Sequence, residues 1–173
     1  MRINLPNSNT FSKIFKKTIN QEINQEINGI ATDSREIQKG DLYIAIQGEK
    51  VDGHSFLDQV FENGALAALV SEPNDQINGY QIEVPDTVKS IGKIATEWRK
   101  QFEIPIIGIT GTNGKTSTKE LLRHILSSKF DIHATEGNYN TSIGLPLTLL
   151  QLTGFHGASI LEMVQIKMVI LNY

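Results

Sequence analysis

The chain has 173 residues, no cysteine, 39% hydrophobic and 20% charged residues, and a net charge of −3. Such a chain holds one ordinary domain or two small ones with enough apolar residues for a core; disulfides and cysteine-based zinc sites are excluded, and the charge argues against a nucleic-acid-binding protein. Met1 to Asn9 is polar and lacks the apolar stretch of a signal peptide, and no apolar run approaches the roughly 20 residues that span a bilayer, so the expectation is a cytoplasmic protein with no membrane insertion.

Residues 1–28 carry little signal. Phe11, Ile14 and Phe15 fit one apolar helix face, and Gln21-Glu-Ile-Asn24 recurs at once as Gln25-Glu-Ile-Asn28, which reads as a duplication in a surface segment. From Ile30 the pattern sharpens. Thr32-Asp-Ser-Arg35 is a polar cluster, Lys39-Gly-Asp41 a turn, and Leu42–Ile46 a strand. After the loop Gly48–His54, the spacing of Phe56, Leu57, Val60, Phe61 and Leu66 predicts a helix that Gly64 ends; Ala65–Val70 and Tyr80–Val84 read as strands. That order suggests a small α/β domain ending near Pro85. Val88–Phe102 is an amphipathic helix with Val88, Ile91, Ile94, Ala95, Trp98 and Phe102 on one face, and Trp98 reads as core.

The apolar run Ile104–Ile109 predicts a buried parallel strand, followed by a glycine-rich turn, Gly111–Gly114, and a helix opened by Lys115 and Thr116. Strand, turn and helix start make an anion site: glycines let backbone N–H groups close on phosphate oxygens, and the helix N-terminus adds free donors and its dipole. Lys115 reaches the outer phosphates and the Thr116 hydroxyl suits Mg²⁺. The strict phosphate-loop pattern wants a glycine where Ile109 stands; the nearest is Gly108. An ordinary turn with a surface lysine is the plain alternative, disfavoured by the joint presence of strand, glycines, Lys and Thr. Downstream, Leu121, Leu122, Ile125 and Leu126 predict the helix's buried stripe, and Phe130–Ala134 a strand. Glu136–Pro146 predicts a polar loop, Leu145–Leu152 a helical or turn-like stretch, and Ala158–Glu162 a buried strand ending in a carboxylate. In a doubly wound sheet ligands gather at the C-terminal strand ends, which sets Glu162 near the presumed metal; a solvated strand-end charge is the alternative.

Four segments taken together resemble the Mur ligases, ATP-dependent amide-forming enzymes of peptidoglycan synthesis. They are Thr32-Asp-Ser-Arg35 with Gly40-Asp41; Asp52-Gly-His54; Thr110–Thr116; and Glu136-Gly-Asn-Tyr-Asn140 with Ile143-Gly-Leu-Pro146. The resemblance covers roughly residues 29–163, and Thr118-Lys-Glu120 with the Glu-Gly-Asn-x-Asn segment is most similar to the branch that adds D-alanyl-D-alanine to UDP-N-acetylmuramoyl-tripeptide. It implies a small N-terminal α/β domain that binds the nucleotide sugar (29–86), a connecting helix (87–103) and the first part of a central doubly wound, parallel-sheet ATP domain (104–163), after the unassigned 1–28.

The resemblance also implies roles. Thr32, Asp33, Ser34 and Arg35 help build the uridine pocket. Gly111, Thr112, Asn113, Gly114, Lys115, Thr116 and Ser117 hold the ATP phosphates, with Thr116 and Glu162 on Mg²⁺. Asn138, with Lys115, serves the transferring phosphoryl group, and Asn140 and Thr141 approach the substrate; Thr141 departs from the pattern, which leads one to expect a second asparagine. The implied reaction phosphorylates the terminal carboxylate of the tripeptide, and the amine of D-alanyl-D-alanine attacks the acyl phosphate, in a monomeric enzyme when full length. No nucleophilic side chain is needed, and His54 is assigned none. A sister ligase adding the diamino acid and a non-catalytic UDP-sugar and ATP-binding module stand as alternatives.

After Met163 the resemblance leads to glycine and a small, polar, acidic segment, whereas the chain reads Val164–Tyr173 and ends. A frameshift would account for this, with the natural tail of a short paralogue as the plain alternative, and the 173-residue product is expected not to ligate. The strand Ala158–Glu162 is then expected to leave an unpaired edge or an uncovered apolar face, and the apolar Val164, Ile166, Met168, Val169 and Ile170 are suited to patch that edge or to promote aggregation.

Overall fold

Two short apolar runs form the centre of the first unit. Leu42–Ile44 (β3) and Ala67–Val70 (β4) are buried at every position, as strands covered on both faces must be. The computed structural model describes residues 1–164 and divides into two compact units, Met1–Ile94 and the chain from Ala95 onward.

In the first unit β1 (Arg2–Asn4), β2 (Gly29–Ala31), β3, β4 and β5 (Gln81–Glu83) make one sheet in that spatial order. β1 runs antiparallel to β2, and the other neighbours are parallel. α1 (Ser8–Ile19) starts where the Asn7 side chain accepts from the Thr10 amide, and it buries Phe11, Ile14 and Phe15. α2 (Leu57–Glu62) sets Leu57 and Val60 against Tyr43, Ala45, Ala68 and Val70.

Residues 1–28, unassigned from the sequence, therefore supply a strand and a helix to this unit. The tandem repeat is more than a surface segment: Ile23 and Ile27, one from each copy, are 7% and 0% exposed. β1 is tied from the other side. Arg2 places two guanidinium nitrogens on the carboxylate of the fully buried Asp41, at 2.6 and 2.9 Å, and Asp41 also accepts from the Gln38 amide.

The predicted connecting helix is α3 (Thr87–Arg99), ending three residues before Phe102, and the division between units falls inside it. Ile91, Ile94, Ala95 and Trp98 are its buried face, and the Trp98 indole donates to the Leu152 carbonyl at 3.3 Å.

The second unit has, among the described residues, three parallel strands, β6 (Ile106–Ile109), β7 (Ile132–Ala134) and β8 (Ala158–Glu162), in the order β6-β8-β7. Two expectations change here. β8 is not an edge: inserted between the other two, it is buried at all five positions, and the edges of the described sheet fall to β6 and β7. β6, expected to be buried, has three half-buried isoleucines and an exposed Gly108, as an edge strand paired on one side would.

α4 (Lys115–Leu126) departs too. Of its predicted buried stripe, Leu121 and Ile125 are 62% and 56% exposed and Leu122 and Leu126 half-buried. Three strands are too narrow a floor for the whole stripe, and among the described residues nothing covers its outer half. α5 (Gly144–Leu149) is buried throughout, and its first position has no room for a side chain: a Cβ on Gly144 would lie 2.7 Å from the Tyr139 backbone. Ile166, Met168, Val169 and Ile170, the expected edge patch, lie outside the described residues.

Candidate functional site

Parallel pairing brings three C-terminal strand ends to one edge of the second sheet. Ile109, last in β6, sits in register with Glu162, last in β8, and Ala134, last in β7, with Ile160. From Ile109 the chain turns through Thr110–Gly114 into α4. Gly111 and Gly114 have φ of +148° and +77°, values that strain any side-chain-bearing residue, so glycine is what lets the turn close this tightly. Thr112, Asn113, Thr116 and Ser117 are exposed around it. Lys115 donates from its ammonium to the Gly111 carbonyl at 2.7 Å, spanning the loop. The first turn of a 12-residue helix leaves N–H donors unpaired and carries the positive dipole end, so the loop and helix together are suited to an oxyanion.

Glu162 is the carboxylate of this edge, and it is only 4% exposed. The Thr116 hydroxyl donates to Oε2 at 2.9 Å, and the Asn140 amide donates to Oε1 at 3.0 Å. Both donors are neutral. A buried carboxylate met only by neutral donors is a favourable place for a cation, because burying a charge without a compensating partner is costly. Thr116 and Glu162 offer only oxygen, the donor set that suits Mg²⁺, so the residues present fit that metal. The Glu162 main-chain amide donates to the hydroxyl of Thr135 at 3.0 Å, and the Val164 amide to the Asn140 carbonyl at 3.1 Å.

Of the predicted site residues, the structure thus joins Thr116, Asn140 and Glu162 and leaves Asn138 exposed on the Asn140 loop. Thr141 has a local partner, since its hydroxyl accepts from the Gly144 amide at the start of α5. Sequence reasoning passed over Lys119 and Thr135. Lys119 stands within Thr118-Lys-Glu120, but nothing in the spacing marks it as buried, and it is 2% exposed.

In the first unit Thr32–Arg35 follows β2. Its Thr32 amide donates to the Met1 carbonyl, Ser34 is buried, and Asp33 accepts from the Arg35 amide as well as from its guanidinium. The Arg35 guanidinium, and then its amide, hold the Asp33 carboxyl well below the usual carboxylate range. His54 carries a superficial likeness to a hydrolytic triad: Nδ1 lies 2.7 Å from Asp52 Oδ1, and Nε2 3.2 Å from Ser71 Oγ. The Ser71 main-chain amide also donates to Nε2, at 3.0 Å. Nε2 is therefore the acceptor nitrogen, already occupied, and the imidazole pins the Asp52 loop to the end of β4. His54 is structural.

Family models match most of the chain: the Mur ligase family, catalytic domain, over residues 26–99, and the Mur ligase middle domain over 109–169. A UDP-N-acetylmuramoyl-tripeptide--D-alanyl-D-alanine ligase of Synechocystis sp. is 45% identical over 138 residues, which are 79% of this chain and 30% of the relative. A crystal structure of MurF from Acinetobacter baumannii superposes with a TM-score of 0.83 at 34% identity, covering 88% of this chain and 35% of that one. MurF ligase from Thermotoga maritima, solved in complex with ADP, superposes with a TM-score of 0.71 at 34% identity over 78% of this chain and 31% of its own. The chain spans about 30% of the length of the curated relatives it matches.

Proposed function

The chain belongs to the Mur ligase family, and from that membership we propose that it forms the nucleotide-sugar-binding and ATP-phosphate-binding part of a ligase. The whole enzyme adds D-alanyl-D-alanine to UDP-N-acetylmuramoyl-tripeptide, the activity by which the relative from Synechocystis sp. is named. The observation that carries the reading is the meeting of Thr116 and Asn140 on the buried Glu162 carboxylate, at the strand ends beside the Gly111–Gly114 loop.

The Gly111–Gly114 loop and the first turn of α4 receive the ATP phosphates through main-chain N–H groups, and the Lys115 ammonium exchanges the Gly111 carbonyl for a phosphate oxygen. Thr116 and Glu162 would hold Mg²⁺, which when bound neutralises charge on the transferring phosphoryl group. Asn140 keeps the Glu162 carboxylate turned toward Thr116, and Asn138, exposed on the same loop, serves the transferring phosphoryl group with Lys115. The tripeptide carboxylate takes the γ-phosphoryl group and the incoming amine then displaces phosphate, so the protein's share is positioning and charge stabilisation. Thr32, Asp33, Ser34 and Arg35 face the uridine end of the other substrate, in the domain 29–86, and residues 104–163 serve ATP. With nucleotide-linked substrates the enzyme works in the cytoplasm.

Calorimetric titration of the chain with UDP-N-acetylmuramoyl-tripeptide and, separately, with Mg·ATP tests this. Saturable binding of both is expected; failure of the UDP-tripeptide to bind, with Mg·ATP bound, would leave a phosphate-loop module of another kind.

A further inference from the structure

Lys119 is buried where its charge has no need to be. It lies one helical turn beyond Lys115, on the face of α4 turned to the sheet, and is 2% exposed while its neighbours Thr118 and Glu120 are exposed. Lysine is rarely buried without a specific partner, and an apolar residue would fill that face without the cost of desolvating an ammonium. Its partners are particular. Nζ donates to the Thr135 main-chain carbonyl at 2.6 Å and lies 3.1 Å from Glu120 Oε1, whose side chain is 52% exposed.

Thr135 is the first residue past β7, and three of its groups are engaged. Its carbonyl takes the Lys119 ammonium, its amide donates to the Ile160 carbonyl, and its hydroxyl accepts from the Glu162 amide at 3.0 Å. A continuous line therefore runs from α4 through Lys119 and Thr135 to the main chain of Glu162, while the Glu162 side chain returns to α4 through Thr116. The circuit is closed, and buried everywhere except at Thr116, a setting in which hydrogen-bonded networks fix orientation firmly.

We propose that Lys119 is a positioning residue for Glu162: through Thr135 it fixes the main chain that carries the carboxylate, and so sets that carboxylate between Thr116 and Asn140 for a divalent cation. The inference rests on the reading of Glu162 and Thr116 as the Mg²⁺ side of the ATP site. It adds two residues, Lys119 and Thr135, that touch neither metal nor nucleotide. Partners that orient a metal ligand typically change metal affinity about 10–100-fold when removed.

The test compares the chain with its K119M, T135V and T135S variants, and with L122A as a control on the same helix outside the circuit. For each, the affinity for ATP is measured with Mg²⁺ and with EDTA, and exchange of the Glu162 amide is followed by NMR without metal. K119M and T135V act on different atoms of the line, so either carries the test if the other fails to fold. The expected result is a Mg²⁺-dependent gain in ATP affinity about tenfold or more smaller in K119M and T135V, with faster Glu162 exchange, and near the unaltered value in T135S and L122A. An unchanged gain with an unchanged exchange rate in K119M or T135V overturns the proposal. A loss of the gain in L122A equal to that in K119M also overturns it, by reducing the effect to general stability. If the unaltered chain binds ATP equally with Mg²⁺ and EDTA, the metal reading itself fails and takes the inference with it.

Discussion

The Thr116 hydroxyl donates to Glu162 Oε2 at 2.9 Å, joining the second residue of α4 to the last residue of β8 across 46 positions of sequence. The bond holds together two oxygen donors of the kind that suits a hard cation, beside the Gly111–Gly114 loop. E162Q keeps the shape and removes the charge, and T116V keeps the shape and removes the hydroxyl. Each is expected to reduce the Mg²⁺-dependent part of ATP affinity by about tenfold or more, E162Q the more severely, with affinity in EDTA little changed. Paired titrations in Mg²⁺ and EDTA check it; equal losses in both would assign the two residues to general folding.

Asp41 is fully buried and takes two bonds from Arg2 and one from the Gln38 amide. D41A would leave a largely covered guanidinium without its partner, and breaking a buried pair by removing one member costs about 3–5 kcal/mol. A urea titration of D41A should show a loss of that order. A loss under about 1 kcal/mol would mean that β1 is held by its strand pairing alone.

His133, on β7, is 8% exposed, with Nδ1 2.8 Å from Ser159 Oγ and its ring 5.1 Å from that of His156. Burial, and then His156, push its pKa from 6.5 down to about 4. Between those values the unfolded chain carries a proton on this residue that the folded chain lacks. Stability is therefore fully present above pH 6.5 and lost as pH falls toward 4, by up to roughly 3 kcal/mol from this group. Denaturant titrations at several pH values across that window should show the slope, and H133Q should flatten it. An unchanged slope in H133Q would assign the acid sensitivity to other groups.

Gly144 opens α5 with its Cα against Tyr139, where an added Cβ would come within 2.7 Å of two backbone atoms. The Asn138–Thr141 stretch runs through that contact, so G144A must shift the loop that carries Asn140 to Glu162. The expectation is about 1–3 kcal/mol of destabilisation together with weaker Mg²⁺-dependent ATP binding. Melting curves with and without Mg·ATP measure both, and a variant as stable as the parent would show that the loop gives way freely.

Much of the site was legible in the sequence because its signals are local. Ile104–Ile109, Gly111, Gly114 and Lys115 stand in one run, and Ala158–Glu162 announces by composition a strand that ends in a carboxylate. What stayed hidden depends on distant partners. β1 and β2 have three residues each, too short for a periodic pattern, and exist through pairing and the Arg2–Asp41 contact. Lys119 reads as a surface charge until β7 is seen to end at the reach of its side chain. Leu121 and Ile125 illustrate the converse, since helical spacing reports which residues could be buried together, not whether a neighbouring element covers them.

Gly111–Thr116 is proposed to bind ATP through its phosphates. Calorimetric titration of the chain and of K115A with Mg·ATP tests it most directly, because the Lys115 ammonium spans the loop at 2.7 Å and is placed to follow the phosphates. Saturable binding by the chain, weakened about 10–100-fold in K115A, is the predicted result, the range expected for losing a hydrogen bond to a charged group. No binding by the folded chain, or equal binding by K115A, would contradict it.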